Sequence, residues 1–315
     1  MSFELDIGLQ RVALPAVCSL IGCTLLVRTD QGEDWFDDEP VKGIAFPTVL
    51  GAILCAAGLI GSDLWQRGLI TTPGEWSNWK ASHQWEWMSW MMPASMVVLG
   101  LARAVFSIPT HFTGLAGTAT GAISIGVLFV CLNEGAEWDD QREKLLPWMG
   151  ASCLASMCNM AALNSIARAG GSRWVSLSVL GQLGCVAAIT LQSYGSLGEW
   201  SIAGMAVAMG ASVVGTFGRS SSAKLHYGWQ LSIIVLPLAV MAVACLAVSR
   251  FFVESNPLPV WLIGSVLFLP SIVGLFDFVV GRITNEWFRV FLAALLCSLA
   301  LGSILYITKP WQSEW

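Results

Sequence analysis

Ser152, Ser156 and Asn159 follow one another at steps of four and three inside an otherwise apolar run, which puts them on one face of a helix. Gln182 lies in the next apolar run, and Asp277 is the one acid inside such a run, in SIVGLFDFVVGR. Hydroxyl and amide groups surrounded by apolar residues hydrogen-bond a small uncharged solute, or they bond one helix to its neighbour. A carboxylate in that setting suits proton or cation coupling; the plainer alternative for Asp277 is a solvated or ion-paired acid five residues before Arg282. Together Ser152, Ser156, Asn159, Gln182 and Asp277 make a candidate solute path.

A second constellation lies in 74–93, GEWSNWKASHQWEWMSWMMP, which holds five of the sixteen tryptophans of the chain. Trp76, Trp79, His83, Trp87 and Trp90 fall at steps of three and four, so on a helix they form one stripe. Tryptophan favours the headgroup level of a bilayer, where the ring is half buried and the N–H stays wet. The stretch predicts a surface helix over 74–86 that enters the bilayer near Met91. The same stripe is a candidate surface for docking an extracytoplasmic protein partner.

Other chemistry is missing. No zinc-protease H-E-x-x-H and no phosphate-binding P-loop occurs. Gly150-Ala151-Ser152 and Gly210-Ala211-Ser212 faintly suggest an activated serine, but no histidine lies in an apolar run to serve as its base. His111 and His226 fall in connections on one side and His83 on the other, which does not suit a haem held by two histidines at matching depth. All nine cysteines lie inside or at the edge of apolar runs with no C-x-x-C, as small packing residues do. No catalytic residue, metal or cofactor is expected.

These side chains must be positioned by elements that live in lipid. The chain has 315 residues, 55% hydrophobic and 12% charged, with a mean hydropathy of +0.67. Soluble proteins carry roughly 25% charged residues. The apolar residues come in runs long enough to cross a bilayer as helices, and the short alternating segments of an outer-membrane barrel are absent. The fold class expected is all-α: one polytopic transmembrane bundle of about ten spans, at 12–27, 43–62, 87–106, 113–132, 147–167, 174–193, 200–217, 228–249, 258–280 and 288–307. The acidic N-terminal MSFELDIGLQR does not read as a removable signal, so 12–27 is taken as a retained span. A net charge of −5 with no extended basic cluster excludes nucleic acid as a partner.

Odd-numbered spans end in arginine (Arg28, Arg103, Arg168, Arg219, Arg282), whereas connections after even spans carry acids such as Asp63, Glu137 and Glu199. The positive-inside rule then places the odd connections in the cytoplasm and both termini outside, in a plasma (inner) membrane. Glu75-Trp76, Glu137-Trp138 and Glu199-Trp200 recur at intervals of 62 residues, the length of one two-helix hairpin. Hairpin duplication would explain this, but the residues between the pairs align poorly, and convergent use of Glu and Trp at an interface explains it as well.

Glycines in the fourth span (Gly114, Gly117, Gly121) and the seventh (Gly204, Gly210, Gly215) predict closely packed interior helices. The ninth and tenth spans, rich in Leu, Phe, Ile and Val, are expected to face lipid. Two functions fit. One is a permease or carrier for a small, mostly uncharged solute, with Asp277 as coupling acid. The other is a non-catalytic membrane subunit that docks a partner through its tryptophan-rich helix and acidic links.

Overall fold

The computed structural model describes residues 8–28, 45–67, 88–105, 125, 142–168, 172–193, 195–217, 227–252, 258–280 and 286–308. Among the described residues the chain is helical almost throughout and has no strand. A π-helical segment, Gly8–Ala13, runs directly into α1 (Leu14–Arg28). It is followed by α2 (Ala45–Gln66), α3 (Met88–Val105), α4 (Arg142–Arg168), α5 (Ser172–Ser193) and α6 (Gly195–Phe217). The chain continues through α7 (Tyr227–Phe252), α8 (Val260–Leu267), α9 (Leu269–Val280) and α10 (Glu286–Thr308).

Among the described residues five helical stretches are long and apolar enough to cross a membrane: Gly8–Val27, Phe46–Gln66, Gly195–Phe217, Leu231–Ser249 and Val290–Thr308. Ser89–Ala102 and Ser176–Gln192 are apolar but shorter. Helices of this kind satisfy their own backbone and are consistent with a membrane-embedded protein. The predicted span 113–132 lies outside the described residues apart from Ile125, which is buried. The predicted surface helix 74–86 lies outside them as well.

The axis of the bundle is α7. From Leu231 to Ser249 it is apolar on every side, broken only by Ser232, Pro237 and Ser249, and every one of these residues is buried. A helix that is hydrophobic all round belongs in an interior rather than at a surface. It packs against each of α1 to α6 and α8, and the helices around it form two groups. One is α1, α2, α3 and α6; the other is α4, α5, α8, α9 and α10. The contact of α5 with α6 joins them.

Glycine sets the closeness of the first group. A Cβ on Gly22 of α1 would lie 2.6 Å from the carbonyl oxygen of Gly51 on α2, and one on Gly51 would lie 2.6 Å from that of Gly22. On another side of α1, a Cβ on Gly210 of α6 would meet Ser19 Oγ at 2.6 Å. That hydroxyl donates to the carbonyl of Val207 at 2.7 Å. Two partner backbones therefore approach α1 as closely as they do because these positions lack side chains. Gly204, Gly210 and Gly215 are buried, as their spacing predicts.

The expectation for the ninth span needs correction. α10 does expose Trp287, Phe288, Phe291, Leu299 and Tyr306. The ninth span, however, is divided into α8 and α9, and it buries Leu262, Ile263, Val266, Leu267, Leu269 and Val273 while exposing Phe278 and Val279. Its two ends, at Val260 and Trp261 and again from Leu275 to Val279, present apolar side chains outward, while its middle is buried.

Candidate functional site

The division between α8 and α9 has a local cause. Pro270 carries no N–H, so the carbonyl four residues earlier, on Val266, loses its helical donor, and the proline ring crowds that turn. Phe268, between the two helices, takes φ −100° and ψ 14°, outside the helical basin. Helical bonding resumes with Ile272 N–H to Phe268 O at 2.9 Å. In the interior of an apolar bundle, backbone groups loosened in this way need partners.

Two of the residues singled out by the sequence supply them. The Asn159 amide of α4 enters the interrupted ladder: Nδ2 donates to Leu267 O at 2.9 Å, while Oδ1 accepts from Ser271 N–H at 3.2 Å. Leu267 O and Ser271 N–H are the pair an unbroken helix would have joined directly. Ser271 Oγ also donates to Asn159 Oδ1, at 2.7 Å. From α5, Gln182 Nε2 donates to Val266 O and Leu267 O, each at 3.1 Å. Bonds of this kind in membrane interiors contribute about 0.6 kcal/mol each and at most about 2.

Hydrogen-bonding capacity remains around the break. Gln182 Oε1 and the hydroxyls of Ser152 and Ser156 are buried and have no partner among the described residues. Ser152 and Ser156 share the α4 face that carries Asn159, seven and three residues before it. The structure thus brings Asn159 and Gln182 together at Leu267 O, with Ser156 and Ser152 three and seven residues before Asn159 on α4. Asp277 lies on α9, six residues past Ser271, and its side chain is outside the described set. Of the tryptophan stripe, Trp76, Trp79, His83 and Trp87 lie outside the described residues, and Trp90 is half-buried in the first turn of α3.

A second polar assembly at one end of the bundle was not anticipated. Arg11, in the π-helical segment, has only 1% of its side chain exposed. Its two terminal nitrogens donate to Ser62 Oγ at 3.2 Å and to Glu199 Oε2 at 3.1 Å, and its Nε has no partner among the described residues. Next to Ser62, the buried Asp63 accepts three bonds. They come from Arg67 Nε at 2.9 Å, from the indole N–H of Trp200 at 3.2 Å and from Ser89 Oγ at 3.5 Å. Gln66 Nε2 donates to Glu199 Oε2. The start of the first helix, the end of α2, the start of α3 and the start of α6 are thereby tied together.

Beside this network lies a cleft of about 20 Å³, room for about one water molecule. Met92, Pro93, Ala203 and Met241 give it apolar walls, and Arg11, Asp63, Ser89 and Trp200 give it polar ones. Two signals in the sequence touched this site. Glu199-Trp200 is one of the three spaced Glu-Trp pairs, and Asp63 ends an even span. Arg11 was missed because the first span was drawn from residue 12, one position too late to include a buried charge.

Comparison with protein-family models, with curated proteins and with solved structures yields no match to this chain.

Proposed function

We propose that this protein is a multi-pass carrier of about ten spans for a small, mostly uncharged solute, with its path at the break between α8 and α9. The observation that supports this reading most directly is the discontinuous ninth span, met by the amides of Asn159 and Gln182. Carriers commonly place their sites where a helix is interrupted near mid-membrane, because backbone and side-chain polar groups are concentrated there. The unpartnered Gln182 Oε1, Ser152 Oγ and Ser156 Oγ offer one acceptor and two hydroxyls to a ligand. Amides and hydroxyls suit a neutral polar solute better than an ion. In this reading Asp277 is the coupling carboxylate, the membrane is a plasma (inner) membrane, and the Lys/Arg pattern puts both termini outside.

The test is osmotic swelling of proteoliposomes with a panel of small polyols, amides and neutral amino acids. At least one solute enters faster than into protein-free vesicles, and Ser156→Val slows it without changing thermal stability. Asp277→Asn abolishes uptake driven by an ion gradient. A panel that enters no faster than into empty vesicles removes the carrier reading.

A further inference from the structure

The end network has three features that the path at the α8–α9 break does not explain. First, it is made of charged groups withdrawn from water. Arg11 is 1% exposed, and Asp63 is 4% exposed. Ion pairs in such positions stabilise a fold little compared with apolar packing of equal volume; their best-attested use is to select one arrangement over another. Arg11 Nε, which has no partner among the described residues, fits an arrangement that is held but incompletely satisfied.

Second, the network joins helix ends whose deeper parts cross tightly. α1 meets α2 at Gly22 and Gly51, and it meets α6 at Ser19 and Gly210, without space for even a methyl group. α1 and α2 stay close up to the network, where a Cβ on Gly58 would lie 3.2 Å from Pro15 Cα and one on Gly61 would lie 3.3 Å from Leu14, and side-chain bonds are added there. These two helices are thus a fixed post to which Asp63 latches the first turn of α3 through Ser89.

Third, a breaker sits beside the cleft. Pro93 lies inside α3 and lines it, and Pro93 cannot donate to the carbonyl of Ser89, four residues earlier. Ser89 is also the residue through which α3 reaches Asp63, by the longest bond of the set. The first turn of α3 is therefore coupled to the rest of its helix by one bond fewer, at the point where a hinge is useful.

We propose that the first turn of α3 is a gate at one end of the bundle, latched by Ser89 on an Asp63 that the Trp200 and Arg11–Glu199 contacts hold in place, and opened by a swing about Pro93 that releases the Ser89–Asp63 bond. It builds on the carrier reading by supplying the closed end such a cycle needs. The gate controls whether water and solute reach the cleft lined by Met92, Ala203 and Met241. The Ser89–Asp63 bond is made in this structure, which is the latched arrangement.

The experiment is cysteine accessibility in proteoliposomes. Ala203→Cys places a thiol at the cleft wall, which no native cysteine lines, and its labelling by a membrane-impermeant maleimide is read by peptide mass spectrometry. With the network intact, labelling is slow. Glu199→Gln speeds it on the order of tenfold, because the closed state loses the partner of a buried charge. Trp200→Phe, which removes one N–H and keeps most of the ring, speeds it to a smaller extent and serves if the charge variant does not fold. Adding Pro93→Ala to Glu199→Gln brings labelling back toward the slow rate.

Unchanged labelling in the folded Glu199→Gln and Trp200→Phe proteins makes the network a fixed staple and overturns the gate. Fast labelling that Pro93→Ala leaves unaltered overturns the hinge. The readout needs no solute, so the two readings fail separately. Faster labelling without flux keeps the gate and removes the carrier, and flux with unchanged labelling does the reverse.

Discussion

Trp200 donates its indole N–H to Asp63 Oδ1 at 3.2 Å across 137 positions of sequence, fastening the start of α6 to the end of α2. The ring is 5% exposed, so one side chain contributes both apolar burial and a directed bond. Trp200→Phe isolates the bond. It is expected to lower stability by about 1 kcal/mol, measured by denaturant titration in mild detergent. Trp200→Ala also vacates the volume of the ring and is expected to cost about 3–5 kcal/mol.

Arg11 and Glu199 stand to each other as a charge that cannot reach water and a charge that partly can, at 1% and 22% side-chain exposure. Glu199→Gln leaves the guanidinium buried with a neutral partner, and the expected loss is about 2 kcal/mol, below the value for a fully buried pair because Glu199 is partly solvated. Arg11→Met removes the buried charge and keeps much of its volume. The double variant is therefore expected to be more stable than Glu199→Gln alone. A double-mutant cycle on thermal unfolding checks the sign, and strictly additive losses would show that the two side chains are not coupled.

Asn159 and Pro270 are linked by cause: the proline loosens the ladder, and the amide refills it. Asn159→Leu is expected to destabilise by about 2 kcal/mol, from three lost bonds in an apolar setting. Pro270→Ala restores an N–H opposite the carbonyl of Val266, so it reduces the cost of Gln182→Leu, whose amide otherwise serves that oxygen. An equal cost in both backgrounds would mean that the break does not arise from the proline.

Gly22→Ala and Gly302→Ala are the same chemical change in two helices with opposite expectations. The new Cβ at position 22 meets a backbone oxygen at 2.6 Å, and backbone cannot turn aside as a flexible side chain can. A loss of about 1–3 kcal/mol is expected. At position 302 nothing lies within 4 Å, so the helix preference of alanine should dominate, with a gain of up to about 1 kcal/mol. Parallel thermal melts of the two variants decide it.

Sequence alone determined where many of the described helices lie, though five rather than ten stretches among them are long and apolar enough to cross a membrane. Runs of apolar residues are a local property, and 43–62 against Ala45–Gln66, or 288–307 against Glu286–Thr308, shows how closely composition marks a long apolar helix. The helical spacing of Ser152, Ser156 and Asn159 also survived, because periodicity depends only on the helix that carries it. Tertiary structure decided what those groups touch. Asn159 bonds residues more than a hundred positions away, and nothing in either segment alone pairs them. It also decided that α7, one of several apolar runs, is the buried axis, since apolar residues look alike whether they face lipid or protein. The Arg11–Glu199–Asp63–Trp200 network was the least visible of all. Its members sit at the ends of separate spans, where charge is ordinary, and only the packing of four helix ends turns ordinary charges into buried partners.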